Sequence, residues 1–155
     1  MKKILCLAIP LSILTVACNN DNTPKNRATT KVAPSLEDSL YKEVIALHDE
    51  TMPKMGKIIG YKKVLQLKID SLDTYLSRKK DAGAALLKKN YEKLLAQLNN
   101  AEKGMNEWME GFNPDPQLPT SKEMVNYFED QKQKAKKMKE DVFNALDSTA
   151  AWLRN

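Results

Sequence analysis

The chain has 155 residues, of which 25 are basic, 20 acidic and one histidine, for a formal net charge of +5. Two cysteines and a single histidine exclude a disulfide framework and a metal centre built on several Cys or His ligands. No block of five or six like charges occurs, so the composition holds no nucleic-acid-binding arm, and no nucleic-acid partner is expected.

The order of residues 1–18 is the first strong signal. Lys2 and Lys3 precede an apolar stretch from Ile4 to Ala17, and Cys18 follows. A basic start, a short apolar run and a small residue at the junction describe an export signal. About 14 apolar residues are too few for a membrane-spanning helix. The ending Leu14-Thr15-Val16-Ala17-Cys18 resembles the lipobox of bacterial lipoproteins. That resemblance implies cleavage before Cys18 and a lipid anchor on it, in a Gram-negative envelope. Asn19, in place of the aspartate that often retains lipoproteins in the inner membrane, favours the outer membrane. Loss of residues 1–17 removes Lys2, Lys3 and Cys6, so the net charge falls to about +3 and the domain keeps no free thiol.

Residues 18–34 are expected to carry the lipidated cysteine and a tether. From Asn19 to Pro34 the chain is rich in Asn, Thr and Pro and lacks apolar periodicity. Residues 35–155 are expected to form the folded domain.

Ser35 and Asp38 stand at the spacing of a capping box. Leu40, Val44, Leu47, Thr51, Met55 and Ile58, then Leu65, Ile69, Leu72 and Leu76, recur at intervals that predict an amphipathic helix over about 36–79. Pro53 falls inside it, removes a backbone donor and crowds the carbonyl of Asp49. A kink is expected there, in preference to a break that would create a fourth helix, because Met52 is a poor helix N-cap. Gly56-Lys57-Ile58-Ile59-Gly60 repeats glycine at i and i+4, and is expected to mark close backbone packing or looseness beside the kink.

Asp81-Ala82-Gly83 is a turn signal. Leu86, Tyr91, Leu94, Leu95, Leu98, Ala101, Met105, Trp108, Met109 and Phe112 predict a second helix, about 83–112. Three prolines between Asn113 and Pro119 end it. Thr120 and Glu123 then open a third helix, about 120–154, as a second capping box. No stretch alternates for long enough to be a strand. The expected fold is all-α, an antiparallel up-down-up three-helix bundle with coiled-coil-like packing. The first helix is long enough for its early part to overhang its partners.

Catalytic signatures are missing. There is no nucleophile elbow, no phosphate-cradling glycine loop and no second histidine for a zinc-protease helix. The alternating oxygens of Asn113, Asp115 and Gln117 lack the glycine and the final glutamate of a calcium loop. No enzymatic activity and no resident cofactor is expected.

One constellation stands out. His48, Met52 and Met55 share a helix face, as do Met105, Trp108, Met109 and Phe112. A second turn centred near residue 116 would bring Met124 and Phe128 to the same end of the bundle. A pliable methionine-rich core is the expected reading. The alternative is a ligand site, since thioether and imidazole suit Cu(I), and a His/Met pair can hold haem.

The segments His48-Asp49-Glu50-Thr51-Met52-Pro53-Lys54-Met55 and Asn106-Glu107-Trp108-Met109-Glu110-Gly111-Phe112, with the lipobox and tether, resemble a family of short uncharacterised bacterial lipoproteins with an all-helical domain. Some of these carry the label "viral A-type inclusion protein". The resemblance implies fold and location, not an activity. A weaker resemblance concerns O-glycosylation at Asp-Ser or Asp-Thr in envelope proteins: Asp38-Ser39-Leu40, Asp70-Ser71-Leu72 and Asp147-Ser148-Thr149 match, which makes Ser39, Ser71 and Ser148 candidate acceptors. The function expected is a membrane-tethered structural or interaction lipoprotein. Its partners would be the membrane through Cys18, and an envelope protein or a second copy of the chain.

Overall fold

The structure is a computed structural model and describes residues 33–154. Those residues form four α-helical segments: α1 (Leu36–Thr51), α2 (Met55–Leu76), α3 (Ala82–Gly111) and α4 (Ser121–Arg154). The expected signal segment, Cys18 and most of the expected tether lie outside the described residues.

Local chemistry sets each helix start. Ser35 Oγ accepts the Asp38 N–H at 3.1 Å, and the Asp38 carboxylate accepts the Ser35 N–H, which completes the capping box of α1. Asp81 Oδ1 caps α3 by accepting the Ala84 N–H at 3.0 Å. The Tyr75 hydroxyl, at the end of α2, donates to the other Asp81 oxygen, so one side chain ties the two helices across their turn. These two donors, Ala84 first, hold the Asp81 carboxyl below the usual carboxylate range. At α4, Thr120 Oγ1 accepts the Glu123 N–H at 3.2 Å and donates to the Glu123 carboxylate at 2.7 Å.

Pro53 kinks the first helix and does not fold it back. Thr51, Met52, Lys54 and Met55 all keep right-handed helical backbone angles. One turn of 3₁₀-helix, Met52–Lys54, absorbs the missing proline donor. The Met52 N–H bonds the His48 carbonyl and the Met55 N–H bonds the Met52 carbonyl.

α1 and α2 therefore act as one long rod. α1 runs parallel to α4, with Glu43 paired to Lys132 at 2.6 Å and Glu50 to Lys139 at 2.6 Å. α2 runs antiparallel to α3, with Lys62 paired to Glu102, and Asp73 to Lys88 at 2.6 Å. The order is up-down-up, as expected. The core is shared by Val44, Ile58 and Leu65 of the rod, Leu94, Leu98 and Met105 of α3, and Ala135, Val142 and Leu146 of α4. Burial of this apolar surface is the main stabilising term; the exposed ion pairs add little.

The register between α3 and α4 corrects one expectation. Tyr91 meets Trp152 edge-on, with ring centroids 6.4 Å apart, and Trp108 lies beside Gln131 and Met138. Met124 and Phe128 are not level with Trp108. They lie beside the start of α1, where the Tyr41 and Phe128 rings meet at 5.7 Å. The cause is the connection from Phe112 to Thr120. Extended, proline-rich chain advances about twice as far per residue as a helix, so the turn is not symmetrical about residue 116. α3 stops short of the first turns of α1 and α4, and this loop covers them instead, with Pro116 buried.

Candidate functional site

The His/Met/Trp constellation is only partly assembled. His48 of α1 and Trp108 of α3 do meet, with ring centroids 5.8 Å apart, and Trp108 stacks on Phe112 at 5.0 Å and 17°. Met105 is wholly buried in the core and Met55 packs against it. Met52 is 43% exposed, however, and Met109 is exposed as well. The sulfur atoms thus range from core to solvent and do not share one environment. His48 Nδ1 lies 2.9 Å from Asp49 Oδ1, a local pairing of adjacent residues. Among the described residues, no group of three or more His, Cys, Asp or Glu side chains is placed to hold a metal ion.

The three candidate glycosylation serines all lie on helices. Ser39 is half-buried in α1 and donates its hydroxyl to the Ser35 carbonyl at 2.9 Å. Ser71 on α2 and Ser148 on α4 are exposed.

A different surface emerges on α2. Its inner face buries Ile58, Leu65 and Ile69 against the bundle. The opposite face carries Gly56, Gly60 and Leu67 along its centre, with Ile59, Val64 and, from the preceding 3₁₀ turn, Met52 on its flanks. All six are exposed, and Leu67 is 70% exposed. A methyl group built on Gly56 or Gly60 would meet nothing within 4 Å. These glycines therefore do not serve close packing among the described residues, which rules out the first of the two expected readings and leaves looseness beside the kink. Each weakens the helix by about 1 kcal/mol relative to alanine.

Sequence reasoning found the Gly-x-x-x-Gly pattern but not its direction. The phase of the apolar stripe on α2 held the signal: Ile58, Leu65 and Ile69 lie on one side, and Gly56, Gly60 and Leu67 lie on the other.

Lys57 and Lys68 flank this face on one side and Asp70 on the other, while Lys63 stands on the face itself, at i+3 from Gly60 and i−4 from Leu67. Lys57 and Lys68 lean over the rings of Tyr61 and Tyr91, with Nζ 5.3 and 5.6 Å from the ring centroids. Among the described residues no helix is long and apolar enough to cross a membrane. No known protein family, curated protein or solved structure matches the chain.

Proposed function

We propose that the chain is a membrane-tethered lipoprotein with a structural, interaction-based role, and that it acts by self-association through the outer face of α2. The observation that carries this reading is the direction of Gly56, Gly60 and Leu67. They lie on the helix face turned away from the core that the described residues form, with Lys63 between Gly60 and Leu67. Glycines at i and i+4 let a second helix backbone come close, and Leu67, Val64 and Ile59 supply the area to bury. A second copy is the occupant because it offers the same combination of gap and projecting leucine. Lys63 on this face and Lys57 and Lys68 beside it make the surface of each copy positive, so the contact is weakest at low salt.

Cys18 supplies the tether in this reading, through the lipobox ending Val16-Ala17-Cys18. Copies anchored to one membrane are concentrated in two dimensions, so a weak contact is enough for assembly. Two experiments test the proposal separately. Cys18→Ser should move the protein out of the membrane fraction. Light scattering on the helical domain should find an assembly that Leu67→Asp dissolves. Continued membrane attachment in the first, or an unchanged mass in the second, overturns the corresponding half.

A further inference from the structure

The two ends of the bundle carry opposite charge. Residues 113–130, beside the start of α1, hold four acidic side chains and one basic one. At the other end, residues 75–93 close the turn between α2 and α3 and hold six basic side chains and two acidic ones. Both of those acids are engaged. Asp81 caps α3 and accepts from Tyr75, and Glu92 pairs with Lys88 at 3.3 Å. Lys79, Lys80, Lys89 and Lys93 make no ion pair among the described residues. The rod of α1 and α2 spans about 60 Å, many times the screening length of about 8 Å at physiological salt. The acidic end therefore does not cancel the basic one.

The basic end also exposes apolar side chains. The contact of Tyr91 with Trp152 fixes how far α4 reaches: it runs two residues past Trp152, to Arg154, whereas α3 extends nine residues back from Tyr91, to Ala82. The first turns of α3, with the end of α2 beside them, therefore project about 10 Å beyond α4. Leu86, on this projecting part, is 61% exposed, and Tyr75 and Trp152 are 40% and 41% exposed. Leu86, Lys89 and Lys93 fall at i, i+3 and i+7 on one face of α3. Lys93 lines the same cleft as Trp152. Lys79 lies over the Tyr75 ring, with Nζ 5.7 Å from its centroid. Leucine, tryptophan and tyrosine thus stand among lysines rather than in a patch of their own.

We infer that this end of the bundle docks on an anionic lipid surface. A neutral bilayer would give the lysines nothing to pair with, and a soluble acidic polymer would leave Leu86 and Trp152 in water. An anionic leaflet answers both features. Its headgroup phosphates attract the lysines, and tryptophan and tyrosine rings settle at the level of those headgroups. Leu86 adds a shallow apolar contact, while the lysine stems lie along apolar surface with their ammonium groups among the phosphates. The contact is end-on and peripheral, since among the described residues no helix is long and apolar enough to cross a membrane. It lies away from Gly56 and Gly60 on α2, and rests neither on self-association nor on a lipid at Cys18.

Trp152 reports the contact. The apolar run Ile4–Ala17 can hold the full chain to any vesicle, so attachment itself is not the readout. The full chain carrying Cys18→Ser is titrated with vesicles of equal parts phosphatidylglycerol and phosphatidylcholine, and the Trp152 emission is read as the difference from Trp152→Phe. It should shift to the blue in a saturable manner, and stay in place with phosphatidylcholine alone. Lys79→Gln with Lys80→Gln should raise the lipid concentration at half-shift roughly twenty-fold, since each lysine near an anionic leaflet contributes roughly five-fold. Lys122→Gln with Lys136→Gln removes the same charge from α4, away from this end, and should change it less than about two-fold. Leu86→Ser should weaken the contact several-fold. All five positions are exposed, so the fold tolerates these changes. A Trp152 emission unmoved by the anionic vesicles overturns the inference, as does an equal shift with phosphatidylcholine or an equal loss in the two lysine pairs. Soluble polyglutamate that shifts the emission as far as the vesicles do, with Leu86→Ser unchanged, overturns the lipid assignment.

Discussion

The hydroxyl of Tyr127 on α4 both accepts the Asn113 N–H at 2.8 Å and donates to the Asn113 carbonyl at 3.0 Å. One side chain thereby satisfies both backbone groups of the residue where α3 gives way to the proline-rich connection. The loop is held against α1 and α4, in the place that the shorter α3 leaves uncovered. Tyr127→Phe removes both bonds and keeps the ring that packs on Phe128. It should lower stability by about 1–2 kcal/mol. Chemical denaturation would measure that loss, and hydrogen exchange should show faster opening at Asn113 than at mid-helix amides.

Thr51 and Thr149 make an instructive pair. Both are wholly buried, yet Thr51 Oγ1 donates to the Leu47 carbonyl at 2.7 Å and Thr149 Oγ1 has no partner among the described residues. Valine has the same shape without the hydroxyl. Thr149→Val should therefore be stabilising by about 1 kcal/mol, while Thr51→Val should be destabilising by a similar amount. Parallel urea titrations would separate the two. A loss of stability in Thr149→Val would mean that its hydroxyl has a partner in solution.

The Asp81 cap predicts a pH dependence with a definite sign. Its carboxyl is held below the usual carboxylate range by the Ala84 N–H and the Tyr75 hydroxyl. The folded state therefore binds this proton less readily than the unfolded chain. The stability contributed by the charged cap is fully present above the ordinary carboxylate pKa and is lost as pH falls through the lower, folded value. Asp81→Asn cannot titrate. The difference in melting temperature between wild type and this variant should be constant near neutrality and shrink in acid. A difference independent of pH would remove the ionised cap from the account.

Much of this fold is written in local patterns. The capping box at Ser35, the kink at Pro53, the breaks at Asp81 and at the three prolines, and the apolar stripes all follow from short-range chemistry. What the pattern could not supply was longitudinal register. Met124 and Phe128 belong beside Tyr41 because the connection before α4 is extended, and no periodicity records the length of a non-helical path. The candidate site was harder still. The glycine pair at positions 56 and 60 was visible, but whether it packs inward depends on which face of α2 the other helices cover.

Substitutions on α2 and α3 should separate folding from association. Leu98, in the core, and Leu67, on the outer face, have the same side chain in opposite surroundings. Leu98→Ala should be destabilising by about 2–5 kcal/mol. Leu67→Ala should leave the stability of a dilute monomer within about 0.5 kcal/mol of wild type. Gly56→Ala and Gly60→Ala should each stabilise that monomer by about 0.5–1 kcal/mol, since the added methyl meets nothing and the backbone is helical. Both glycine changes should nonetheless weaken self-association, because the methyl groups hold a second helix away. Denaturation at micromolar concentration, set beside sedimentation at high concentration, reads the two effects independently.

The most direct test of the central claim is the molar mass of the helical domain, residues 33–155, by multi-angle light scattering across a range of protein and salt concentrations. Self-association through the α2 face predicts a mass that rises above the monomer with concentration. It also predicts a larger rise at higher salt, as the charges of Lys57, Lys63 and Lys68 are screened, and a return to the monomer in Ile59→Asp with Leu67→Asp. A mass that stays at the monomer up to millimolar concentration, or an assembly that the double substitution leaves unchanged, would contradict it.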